Sequence, residues 1–191
     1  VYTASPSEYG ALPSELDGVP VIEEVTGPIR AFAAHTAKQT PPIQLGTSGG
    51  WRYDLANGYC CGGTLGSLVQ IGGAQYVLSN YHVLEADIVA GGNSRVATTG
   101  DPVIQPGLID VACNAATAQN VATLVLKKSL PNSNVDCAVG QVIAGMVSPT
   151  GAILEVGTIS ATTIAASIGQ LVKKSGRTTG LTRSKVSGLN A

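Results

Sequence analysis

Histidine is the side chain best suited to moving protons near neutral pH, and this 191-residue chain carries two, His35 and His82. His82 lies in YVLSNYHVLEADIV, after one apolar run and before another. That placement puts it at the end of a strand, where rigid backbone holds a ring that projects into a cleft. An imidazole so placed can act as a general base. His35, in AAHTAKQ just ahead of a polar loop, reads as solvated and without a catalytic role. A general base needs a carboxylate on its other ring nitrogen, to fix the tautomer and steady the imidazolium that forms. The aspartates to weigh are Asp87, Asp101, Asp110 and Asp136. Asp87 falls on the helical turn after His82 and would point away. Asp101 and Asp110 sit in Pro- and Gly-rich loops, where Asp commonly caps turns. Asp136 opens DCAVGQVI, an apolar strand after the polar turn LPNSN. An acid at the mouth of a buried strand calls for a partner, because burying it unpaired is costly. His82 and Asp136 are therefore the candidates for a base and its orienter, beside the plainer readings of a histidine bonded to a carbonyl and an aspartate capping a turn, and neither a metal nor an organic cofactor is implied.

The cysteines add no further chemistry. Cys60, Cys61, Cys113 and Cys137 match no zinc-ligand spacing, and small buried thiols are the expectation, with one disulfide as the alternative. Their disulfide status stays open at this level.

The bulk composition narrows the partners. Charged residues make up 12% of the chain, well below the ~25% of an average domain. With a net charge of −1 there is no basic patch for nucleic acid and no acidic tail for a cationic partner. No apolar run approaches the ~18 residues of a membrane helix. VYTASPSEYG has no basic segment followed by an apolar one, so no signal peptide is visible in this chain and the compartment stays open.

The elements that must position the pair are mostly strands. The 24 glycines, with abundant Val, Thr, Ala and Ser, favour short strands joined by tight turns. Residues 1–32 read as a partial α/β module. VYT is extended, Ser5, Pro6 and Glu8 open a helix that runs to about Leu16, and a strand follows with Val19, Val21 and Val25 on one face. Residues 33–59, rich in Gly, Pro, Ser and Thr, read as a connector and a loop leading into the next domain. From residue 60 the β signals become regular. GTLGSLVQI and AQYVLS flank Gly72-Gly73 as a β-hairpin, and strands are expected near 102–105, 121–127, 135–143 and 152–160. That spacing suggests a closed barrel or a sandwich over 60–160. A further hairpin within 161–191 runs through GQLVKKSG, turns at RTTG and returns through LTRSKVSGLN.

Taken together, these segments resemble the chymotrypsin-like serine proteases, in their bacterial trypsin-like form. YVLSNYHVL is similar to that family's histidine segment and NVDCAVG to its aspartate segment, 54 positions further on, an interval of the size that fold uses. VKKSGRTTGLTRSKVSG resembles the hairpin that opens the second barrel, and DGVPVIEEVTG followed by PIQLGTSGG resembles the segment that precedes the first. The resemblance implies a mostly β, chymotrypsin-like double β-barrel, with the first barrel complete, the second only begun, and a small α/β segment in front. It implies His82 as general base, Asp136 as its orienter, and a serine of a Gly-Asp-Ser-Gly segment as nucleophile. This sequence contains no Gly-Asp-Ser-Gly. The chain alone is therefore expected to be inactive, and the nucleophile is expected on the C-terminal remainder of the same protein, cut after Ala191. A cysteine protease of the same fold and a non-catalytic, protease-like binding module are the alternatives.

Overall fold

The computed structural model describes residues 2–3, 13–16, 18–21, 24–25, 33–56, 58–84, 95–128 and 134–189. The chain divides into two compact units, Val1–Ala31 and Phe32–Ala191. In the first, β1 (Tyr2–Thr3) pairs in parallel with β4 (Glu24–Val25), and β2 (Glu15–Leu16) pairs antiparallel with β3 (Val19–Pro20). The helix expected from Ser5 lies largely outside the described residues. Its expected end at Leu16 is corrected: Glu15 and Leu16 are strand. Gly18, at φ 82°, supplies the left-handed backbone that turns the chain back on itself.

The second unit opens with α1 (Ala33–Thr36), followed by β5 (Thr47–Trp51), β6 (Leu55–Ala56), β7 (Tyr59–Cys60), β8 (Gly63–Leu65), β9 (Ser67–Ile71) and β10 (Ala74–Ser79). After α2 (Tyr81–Leu84) come β11 (Pro102–Gln105), β12 (Gln119–Lys128) and β13 (Cys137–Val142). Seven of these strands form one antiparallel sheet in the order β8-β5-β11-β12-β13-β10-β9. The chain is mostly β, and this sheet curls as a half-barrel, consistent with the chymotrypsin-like architecture that its motifs resemble.

The curl has a local cause. β8 and β9 are the two edges of the sheet, yet only Gly66 separates them in sequence. One stretch of chain thus bonds to β5 with its first half and to β10 with its second. At the bend Gly66 donates its N–H to Leu78 O at 3.0 Å, and Ser79 Oγ donates to Thr64 O at 2.7 Å. A Cβ on Gly66 would lie 2.8 Å from Leu78 O, so the bend needs glycine. The β9–β10 turn is the expected Gly72-Gly73 pair, at φ 57° and 85°, the two left-handed residues that a type I′ hairpin requires. Inside the sheet Ile43, Leu45, Leu65, Val77, Leu84, Val103 and Val121 are fully buried, with Trp51 and Leu124 at 1% exposure. Each such side chain contributes roughly 1.5–3 kcal/mol of burial.

Three sequence readings are corrected here. Thr47–Trp51, read as part of a loop, is a strand buried at every position, because its small residues let β8 and β11 approach from both sides. Residues 152–160 form no strand. Instead Ile153 and Gly157 exchange backbone hydrogen bonds across a tight loop, while Leu45 N–H donates to Ala152 O and Leu154 N–H to Leu45 O. His35 is not solvated but fully buried, its Nε2 2.8 Å from Ser175 Oγ.

Ser175 belongs to a separate two-stranded hairpin, β14 (Leu171–Gly176) with β15 (Gly180–Lys185). Polar links tie its turn end to the sheet. Arg177 N–H donates to Thr64 Oγ1 at 3.0 Å, and the Arg177 guanidinium forks onto Asp110, with Nε and Nη2 each 2.6 Å from a carboxylate oxygen. Its far end is open to solvent, with Leu171 85% exposed.

Candidate active site

The register of two neighbouring strands brings His82 and Asp136 together. β10 and β13 run antiparallel with Ser79 opposite Ala138, so continuing both strands by two residues sets position 81 against 136. At the end of β10 the chain turns at once into α2. Val83 N–H and Leu84 N–H both donate to Asn80 O at 3.2 Å. Val83 and Leu84 anchor that turn in the core at 9% and 0% exposure. His82 is thereby turned outward, its side chain 49% exposed, while the Asp136 side chain is 24% exposed.

The pair is closely bonded. Asp136 Oδ2 lies 2.5 Å from His82 Nδ1, and Asp136 Oδ1 accepts the His82 backbone N–H at 3.3 Å. Asn80 Nδ2 donates to Asp136 O at 3.2 Å and to Oδ2 at 3.3 Å. Desolvation is the largest single influence on the Asp136 carboxyl and pushes its pKa up. It is outweighed by the His82 ring hydrogen bond, the His82 backbone N–H, the His82 charge and the Tyr81 backbone N–H, which together hold the carboxyl below its ordinary range. An ionised carboxylate only accepts, so the network assigns the proton of neutral His82 to Nδ1 and leaves a lone pair on Nε2. Among the described residues no hydroxyl or thiol hydrogen-bonds to Nε2. The arrangement can take a proton at Nε2 while Asp136 stabilises the resulting imidazolium.

The other aspartates do other work. Asp101 Oδ2 accepts from Thr98 N–H at 2.9 Å and Trp51 Nε1 at 3.1 Å, capping a turn against a buried indole. Asp110 holds Arg177 and accepts from Ser48 Oγ at 2.5 Å, while Ser48 Oγ accepts from Gly107 N–H at 2.9 Å. Asp87 lies outside the described residues. Sequence reasoning missed Asn80 and the Ser48–Asp110–Arg177 cluster. A signal for the latter existed: no Asp or Glu follows Glu155, so any acid that Arg177 meets within this chain must come from far upstream.

The expectation of buried thiols is also corrected. Cys60 and Cys113 form a disulfide that ties β7 to the segment after Leu108–Val111, while Cys61 and Cys137 take no part in one. Among the described residues no group of three or more His, Cys, Asp or Glu could hold a metal ion. No described helix is long and apolar enough to cross a membrane. A shallow groove of ≈ 620 Å³, lined by Pro42, Ala74, Gln75, Gln141, Val142 and Pro149, opens at the other end of β10 and β13, away from the pair.

No protein-family model matches the chain, and no curated protein matches it. Among solved structures it is similar to a glutamic acid specific serine protease described as using a histidine triad in substrate binding, at 19% identity and a TM-score of 0.44. The match covers 78% of this chain and 64% of that one, so the chain spans less than two thirds of that structure's length. A likeness at this level says nothing of the chemistry of this chain.

Proposed function

We propose that the chain is the general-base portion of a chymotrypsin-like serine endopeptidase acting on peptide or protein substrates. The observation that carries this reading is the 2.5 Å contact of Asp136 with His82 Nδ1 at the mouths of adjacent strands, with the His82 side chain 49% exposed. His82 takes the proton from a serine Oγ as it attacks a peptide carbonyl. It then returns that proton to the leaving amine, and water hydrolyses the acyl-enzyme. Asp136 stays ionised throughout and holds the ring. In this reading residues 60–160, joined by β5, make the first barrel, and residues 161–191 open the second.

The serine is supplied by polypeptide that completes the sheet begun by β14 and β15. Two observations support this. An isolated two-stranded hairpin is marginal in water and its open edges invite pairing. The apolar side chains around it face solvent, with Ile164 75%, Ile168 71%, Leu171 85% and Val172 44% exposed. The proposed source of that polypeptide is the C-terminal remainder of the same protein, as the resemblance to chymotrypsin-like proteases implies. A second reading, a non-catalytic binding module, would be favoured by a nucleophile segment that holds neither serine nor cysteine.

A serine-directed phosphonate probe separates the readings. Applied to the protein as isolated from its source, it should label a polypeptide bound to this chain, and the preparation should hydrolyse casein. His82→Ala should abolish both, with a loss on the order of a millionfold in kcat, the scale of removing such a base. Labelling by a thiol-directed reagent instead would establish the cysteine protease. No labelling and no hydrolysis would establish the binding module. Hydrolysis by the 191-residue chain alone, insensitive to His82→Ala, would overturn the mechanism.

A further inference from the structure

We infer that Asn80 is a positioning residue of the His82–Asp136 pair, its side-chain amide holding Asp136 in the orientation that meets the imidazole. The inference rests on the general-base reading of that pair.

An asparagine at the start of a helical turn ordinarily turns its side-chain oxygen back to accept a backbone N–H of that turn. Asn80 does not. Its backbone oxygen receives Val83 N–H and Leu84 N–H, and its side chain reaches across to the neighbouring strand. The atoms that it meets there, Asp136 O and Asp136 Oδ2, are both acceptors. Only the amide nitrogen can face them, so the orientation of this amide is chemically determined. One residue thus grips both halves of the pair. Its carbonyl starts the turn that carries His82, and its amide holds the backbone and carboxylate of Asp136.

The consequence for Asp136 is rotational. With Oδ1 on the His82 backbone N–H and Oδ2 shared by His82 Nδ1 and Asn80 Nδ2, each oxygen is assigned to a fixed donor. Without Nδ2 the carboxylate could turn toward water and loosen the ring contact. Asn80 is exposed and its two bonds are long, so the expected effect of losing them is modest. Reversing them should do more, because a second carboxylate would then face Asp136.

Two substitutions test this in the 191-residue chain by NMR, without need of catalysis. The readouts are solvent exchange of the His82 Nδ1–H and the titration midpoint of the Asp136 carboxyl carbon. Asn80→Ala should speed that exchange by about fivefold, the scale of one ordinary hydrogen bond, and raise the midpoint. Asn80→Asp should shift both further while the Val83 and Leu84 amides keep their protection, since Asp and Asn start helices equally well. If Asn80→Asp leaves both readouts at wild-type values, or moves them only with loss of Val83 and Leu84 protection, Asn80 is merely structural. If the wild-type chain shows no slowly exchanging Nδ1–H and Asp136 titrates in the ordinary carboxylate range, the pair itself fails, and the general-base reading with it.

Discussion

Asp110→Asn should release the β14–β15 hairpin while the main sheet stays folded. In the native chain both forks of Arg177 end on Asp110 at 2.6 Å, and the two side chains are 20% and 10% exposed. The Asp110 hydrogen bond is the main reason that the Arg177 guanidinium pKa is raised, and burial opposes it. The substitution keeps the shape but removes the charge. It leaves a largely buried guanidinium on one neutral acceptor and gives Ser48 Oγ a competing amide. Breaking a buried pair costs about 3–5 kcal/mol, and the partial exposure of Arg177 reduces that to about 2–3 kcal/mol here. The hairpin's other ties to the sheet side are single hydrogen bonds, among them Ser175 Oγ with His35 Nε2 and with Gly46 O and Arg177 N–H with Thr64 Oγ1, and an isolated two-stranded ribbon is marginal. Hydrogen exchange of the amides within Leu171–Lys185 should therefore accelerate by about 30- to 150-fold, at roughly 1.36 kcal/mol per decade. Arg177→Lys, which keeps the charge but loses the planar fork, should accelerate it less. Hairpin protection within about twofold of wild type would refute the idea that this pair is the anchor. Equal acceleration in β10 and β13 would show that the whole sheet, and not the hairpin, depends on it.

Two further outcomes follow from charge and from covalent linkage. The Asp136 carboxyl titrates below its ordinary range in the folded chain, so its ionised form stabilises the fold. That contribution is complete above the unfolded carboxylate pKa and is lost as pH falls through the lower, folded value. Asp136→Asn should therefore lower stability near neutral pH, and denaturant titrations should show its gap to wild type closing in strong acid; a gap that widens there would refute the assignment. Reducing Cys60–Cys113, a cross-link across 53 residues, should cost about 4 kcal/mol by the chain-entropy relation. Denaturant midpoints with and without reductant check this, and Cys113→Ala should abolish the difference.

What could be read from the amino acids alone was local. The β9–β10 hairpin was legible because alternating strands meet at Gly72-Gly73, a turn that only left-handed residues make easily. β11, β12 and β13 were legible as apolar runs between turn residues. His82 and Asp136 were legible because each is a titratable group at the edge of a buried strand, where an unpaired charge is costly. β5 was not, because Thr47–Trp51 lacks any alternation of apolar and polar residues. Nor was the loop at 152–160, whose apolar residues follow the same pattern whether they extend or fold back on Leu45. The remaining features are meetings between distant segments: His35 with Ser175 across 140 residues, Arg177 with Asp110 across 67, Cys60 with Cys113 across 53. Local periodicity reports which face of an element is apolar. It carries no information on which distant side chain will lie opposite once the sheet has curled. That was decided by strand register and by the bend at Gly66, which set where each buried polar group would find its partner.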